Sequence, residues 1–411
     1  MKKHLFLAVS ALTFGAVSAF AQADVIKAAE RAVKEGKAPQ EVVEIITPAI
    51  SNPETASNAA VFFLPGKAAF SEFDNLFGMK QLNRLPENGD VTMANDLLTG
   101  YDFYIKALPL DTVVDEKGKV KTKYSKDIIN TISGHATDYN NAALAYWEAK
   151  NYNGAYNAWG IFCSLYETEP FASKLRNSAP HDTILGETYF NQALAAWQAD
   201  SLRNALTAFA KAKSKGYHKK QLFDYAIGVA TSIPDQEAVY MWATEGHKLY
   251  GKEDSNYLGH IINTYLQKEE YDKAFATIDE AIASDPNNSQ YYLVKGILYD
   301  NQDKKPEAKA MFKKALDLNA ENVQALTQYG AALCQEAYAL NDALPATLSV
   351  AETQKYYNET LKPLFEEAAT YLEKAWQLDN DNTTALRYLE NVYYNLHDEA
   401  KQKDVEQRML Q

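Results

Sequence analysis

The chain has 411 residues, of which 54 are acidic and 41 basic, for a formal net charge of −13. An acidic balance gives no attraction to polyanions, so nucleic acid is excluded as the expected partner and adhesion to an anionic membrane surface is disfavoured. The charge is also lopsided: from Glu253 to the end 27 acids stand against 15 bases, so selection by charge there would favour basic partners.

Lys2, Lys3 and His4 open the chain, Leu5 to Val17 form an apolar run, and Ala19-Phe20-Ala21 supplies a small-x-small cleavage pattern. Residues 1–21 therefore read as a secretory signal peptide. The apolar core is too short to span a bilayer, which takes roughly twenty residues. The expectation is a periplasmic or otherwise exported protein that starts near Gln22, with no cysteine there to carry a lipid anchor. Loss of the two lysines would leave a charge of −15.

Asp24–Asn52 reads as a first helical pair, with Ala29, Val33, Val42, Ile46 and Ala49 at helical spacing. A second pair is expected between Ala56 and Ala107, interrupted by a loop of Pro86, Asn88, Gly89 and Asp90. Residues 115–124 are polar, alternate, and contain a Gly turn, so they read as an exposed loop or a small hairpin. Residues 22–135 thus form a divergent N-terminal region. From 136 to 411 the pattern regularises. Ala136–Glu169 carries Tyr139, Ala143, Tyr146, Ala155 and Trp159. Thr188–Gly216 follows with Tyr189, Ala193, Ala205, Phe209 and Ala212, and Lys219–Gly251 with Trp242.

The clearest register comes next. Ser255–Asn288 laid over Ser289–Asn322 puts Tyr265 on Tyr299, Ala274 on Ala308, Ile278 on Phe312 and Ala281 on Ala315. A fixed period of this size means stacked supersecondary units rather than one globular core. From Ala308 to its counterpart Ala368 the gap is 60 residues rather than one period. A helical insertion is therefore expected at about 335–358. Ser349 and Glu352 have capping-box spacing. Two helices each longer by about ten residues would project roughly 15 Å. Thr383–Leu410 closes the array with a polar last helix, as a terminal repeat requires.

These spacings resemble those of the tetratricopeptide repeat family. The resemblance implies an all-α, right-handed superhelical solenoid of stacked antiparallel helix pairs. It also implies a concave groove, lined by the first helix of each pair, that binds peptides or helices of partner proteins. Mapped onto this chain, the groove positions are Trp147, Phe190, Leu194, Trp197, Phe223 and Ile227. Arg387 and Asn391 in the final pair are similar to part of the family's carboxylate clamp. The rest of that clamp is missing, so binding of acidic chaperone tails is not expected.

No catalytic pattern accompanies the repeats. The seven histidines are dispersed, and neither Cys-x-x-Cys nor a Gly-x-Ser-x-Gly elbow occurs. Pro65-Gly66-Lys67-Ala68 lacks the leading glycine and hydroxyl residue of a phosphate loop. Asp379-Asn380-Asp381-Asn382 lacks the glycine and distal glutamate of a calcium loop and reads as a turn between repeats. Cys163 and Cys334 lie about five repeats apart and are expected as free, buried thiols. The sequence thus implies no enzyme, no cofactor and no metal. The expected function is to bind or scaffold partner proteins in the cell envelope. The alternative is a glycan- or small-ligand-binding protein on the same scaffold.

Overall fold

The computed structural model describes residues 19–410 other than 115 and 117. The signal-peptide reading of residues 1–21 therefore lies outside the described residues except for its last three. The chain divides into two compact units, Met1–Ile233 and Pro234–Gln411, whereas the sequence pattern placed its boundary at 135/136.

Among the described residues, the regular structure of the first unit is helical except for one two-stranded ribbon. Ala19–Lys34 (α1), Pro39–Ile50 (α2), Ala59–Gln81 (α3) and Gly89–Ala107 (α4) form the divergent part. Val113–Val114 (β1) pairs antiparallel with Val120–Lys121 (β2), which makes the polar segment a hairpin. Asp111 ties its base: the carboxylate accepts from the N–H groups of Lys123, Tyr124 and Ser125 and from the Ser125 hydroxyl. Ser125–Gly134 (α5), Asp138–Glu148 (α6), Tyr152–Glu167 (α7), Phe171–Leu175 (α8), Asp182–Gln198 (α9), Leu202–Ser214 (α10) and Lys220–Ser232 (α11) complete the unit.

The second unit starts with Gln236–Tyr250 (α12), Asn256–Gln267 (α13), Tyr271–Ser284 (α14), Ser289–Asn301 (α15) and Lys305–Leu318 (α16). Val323–Asp342 (α17), Val350–Tyr356 (α18), Lys362–Leu378 (α19), Thr383–Asn395 (α20) and Glu399–Arg408 (α21) follow. Each unit is all-α in its core and built from helix pairs joined by short turns, the architecture of a tetratricopeptide-like solenoid.

Two turn types repeat, and each has a local cause. Within a pair, one residue adopts the left-handed conformation: Lys150, Asp200, Glu269, Asp303 and His397 have φ between 58° and 60°. Between pairs in the second unit, Asp285, Asn319 and Asp379 accept from the N–H two residues on. Three residues further, Asn288, Asn322 and Asn382 cap the next helix through their side-chain oxygens. The Asp/Asn run at 379–382 is thus turn chemistry of the kind these residues favour. Small residues let the helices approach. A Cβ on Gly296 would stand 2.5 Å from the Phe312 ring, and Ala308 and Ala315 are buried beside them.

The insertion lengthens both helices of its pair. α17 has 20 residues against 13 for α15. Ser349 and Glu352 form the capping box at the start of α18. α18 runs into α19 through a wide turn at Tyr357–Leu361, closed by the Lys362 N–H on the Tyr357 carbonyl. Pro363 explains that turn: it has no N–H for the carbonyl of Glu359, and its ring would crowd that carbonyl in an unbroken α-helix.

Candidate functional site

On α9, Ile184, Glu187, Asn191, Leu194 and Trp197 are among the residues that reach the surface, and on α11 so are Gln221, Asp224, Tyr225 and Gly228. The six aromatic and aliphatic positions mapped from sequence in this unit separate on this basis. Leu194, Trp197 and Trp147 are half-buried and reach the surface. Phe190, Phe223 and Ile227 are core residues and cannot touch a partner, which corrects their assignment to the groove. Phe223 and Ile227 lie on the side of α11 opposite Tyr225, two residues being roughly 200° of helical rotation. Phe190 is roofed instead: its ring stacks on Tyr217 at 4.7 Å and lies 6.1 Å from Tyr225.

What remains exposed is a row along three first helices. Leu144 and Trp147 come from α6, Leu194 and Trp197 from α9, and Tyr225 from α11. Trp147, Leu144, Asn191 and Leu194 line a cleft of about 210 Å³ over the ring of Trp159. Trp159 is held as the floor by a hydrogen bond from its indole N–H to Asn140 Oδ1 at 3.0 Å. Tyr152 supports the Trp147 ring edge-on at 5.2 Å. Trp197 continues the row against Tyr225 at 5.5 Å. The sequence reading missed Leu144 and Tyr225. Leu144 was detectable as the residue one turn before Trp147; Tyr225 was not, because Phe223 competes with it for the same role.

Arg387 and Asn391 are both exposed on α20, in the other unit. Asn391 spends its amide on its own helix, donating to the Arg387 carbonyl at 3.0 Å. The pair therefore offers one guanidinium rather than a clamp.

The divergent region holds perturbed acids: burial raises Asp102, hydrogen bonds from Ser125, Lys123 and Tyr124 hold Asp111 low against the opposing effect of burial, and Asp96 is raised furthest. Asp96 on α4 is pushed up to about 6, first by burial and second by the charge of Glu72. One of its carboxylate oxygens has no hydrogen-bond partner. Next to it, Tyr146 donates to Asn95 Oδ1 at 2.8 Å. An acid, an amide and a phenol make no nucleophile–base pair. No group of three metal-ligating side chains occurs among the described residues. The thiols of Cys163 and Cys334 are free and buried, and burial pushes each up to about 12.

Against known families, residues 289–322 match the tetratricopeptide repeat model. No curated protein matches the chain. Among solved structures, the chain is similar to YrrB, described as a TPR protein with an unusual peptide-binding site. That likeness has 17% identity, covers 53% of this chain and 97% of that one, and gives a TM-score of 0.31. A TPR repeats protein from Bacteroides fragilis is also 17% identical, over 63% of this chain and 98% of its own, with a TM-score of 0.33. The C-terminal part of a TPR repeat-containing protein from Cytophaga hutchinsonii is 14% identical, over 73% and 99% respectively, with a TM-score of 0.37.

Proposed function

We propose that this chain, built of tetratricopeptide-like helix pairs with one repeat matched at 289–322, is a scaffold that captures partner proteins outside the cytoplasm through the aromatic row of its first unit. The observation that carries this reading is that two indoles, a phenol and two leucines stay partly open on consecutive first helices. Aromatic side chains in desolvated clefts are the residues that dominate interface energies. Left bare, contiguous apolar surface of this kind marks a binding site. Export is supported by the basic start, apolar run and Ala-x-Ala at residues 1–21.

The test is crosslinking in the native cell, followed by recovery of wild-type protein and of the Trp147→Ala/Trp197→Ala variant. Loss of the main crosslinked partner by a double variant that stays folded at the growth temperature supports the row as the working surface. Retention of that partner by the folded double variant would overturn it. N-terminal sequencing tests export separately: a chain starting near Gln22 is expected, and retention of residues 1–21 in secreted material would refute it.

A further inference from the structure

The insertion creates a second surface, in the other unit. α17 runs about two turns past the point where α16 begins, so its second half has no full-length neighbour on that side. Ala332, Gln335, Glu336, Ala339 and Leu340 lie there at the i, i+3, i+4, i+7, i+8 spacing that one packed helix covers. α16 reaches this seam with its first five residues, through Lys305, Pro306 and Lys309. Between them lies a groove of about 440 Å³. Its two alanines, one heptad apart, allow a second helix to come close.

Charge indicates what fits. The first unit holds 24 acids and 24 bases, and the second 30 acids and 17 bases, so the whole net charge of −13 resides in the unit that carries the groove. Both lysines of the groove are already matched: Lys309 pairs with Glu336, and Lys305 with Asp300 at 2.9 Å and Asp303 at 3.6 Å. The surplus at the rim is acidic, with Asp303 almost fully exposed, Glu307 on the first turn of α16 and Asp342 at the end of α17. We propose that this groove seats a cationic amphipathic helix of a partner protein, independently of the aromatic row. Its apolar stripe would cover Ala332, Ala339 and Leu340, and its lysines or arginines would meet Asp303, Glu307 and Asp342.

The probe is a labelled model helix of about fourteen residues, four turns, with leucine on one face and lysine elsewhere. Its control has glutamate in place of each lysine. Saturable binding of the lysine peptide to the purified full chain is expected, weakening steeply with salt, with no binding of the glutamate peptide. Ala339 is exposed, so Ala339→Trp should fill the groove without unfolding the chain and weaken binding about tenfold or more. Trp147→Ala/Trp197→Ala should leave this affinity unchanged, which separates the groove from the aromatic row. Absence of saturable binding, equal binding of the two peptides, or binding unaffected by Ala339→Trp in a folded protein would each overturn the proposal. Hydrogen exchange gives a second reading: the peptide should protect residues 303–309 and 332–340, and protection elsewhere alone would also refute it.

Discussion

Tyr357, in the wide turn of the insertion, donates its hydroxyl to the main-chain carbonyl of Asn395 at 2.6 Å. Asn395 is the last residue of α20, where carbonyls have lost their partners within the helix. Its side chain reaches Tyr338 on α17 at 3.4 Å, and the Tyr357 ring lies 5.9 Å from His397. The insertion is therefore joined to the final helix pair rather than standing apart from it. Its tyrosines tie it to the end of α20 and to the turn that follows.

Tyr357→Phe keeps the ring and removes only the donor. It should lower stability by about 0.5–1.5 kcal/mol, as loss of one hydrogen bond does. The loss should appear first as faster hydrogen exchange in 383–410. Uniform acceleration over the whole chain would show that the insertion is not a local brace.

The buried and half-open aromatics of the first unit should respond differently to truncation. Phe223 is fully buried, and Phe223→Ala should lower stability by about 3–5 kcal/mol. Trp197 is half-open, and Trp197→Ala should cost less than about 2 kcal/mol, since part of its surface is already solvated. Thermal or denaturant melts of the two variants decide it. Equal losses would mean that Trp197 is also core.

Sequence periodicity reached the helix pairs, the hairpin option, the capping box at Ser349 and the extra length before Ala368, because each depends on local spacing. Which side of a helix faces outward was less accessible. On α11 both Phe223 and Tyr225 are aromatic and two residues apart, and the choice depends on what α9 and α10 present to them. Phe190 shows the same limit: its helical position is close to that of Leu194, yet Tyr217, from the segment after α10, covers it. Pro363 marked a kink in the helix that restarts at Ser349, but not that the kink takes the form of a widened turn at Tyr357–Leu361, since a proline suits the first turn of a new helix as well.

Lys150, Glu269 and the three residues equivalent to them hold a left-handed backbone without being glycine. That conformation costs an L-residue about 1–2 kcal/mol, and glycine's greater freedom in the unfolded chain offsets part of the gain. Lys150→Gly should therefore raise stability by about 0.5–1 kcal/mol, and Glu269→Gly by a similar amount. Lys150→Val, β-branched, should do the reverse. A lower melting temperature for both glycine variants would show that these turns are not what the backbone angles imply.

Asp96 gives the chain a pH dependence whose sign can be worked out. Its ordinary value is 3.8 and the folded value about 6, so between these the folded state holds a proton that the unfolded state has released. Stability then falls as pH rises through this window and levels off above it. Asp96→Asn cannot ionise, and the unpartnered carboxylate oxygen is replaced by a neutral amide. The variant should match wild type below about pH 4 and exceed it above about pH 6. Because Asp96 is only half-buried, solvent screening reduces the gain to the order of 1 kcal/mol. Denaturant melts of both proteins from pH 3.5 to 7.5, a range chosen to bracket roughly both values, measure the difference directly. A constant offset across the range, or a gain confined to the acid side, would show that burial beside Glu72 does not hold this carboxyl protonated.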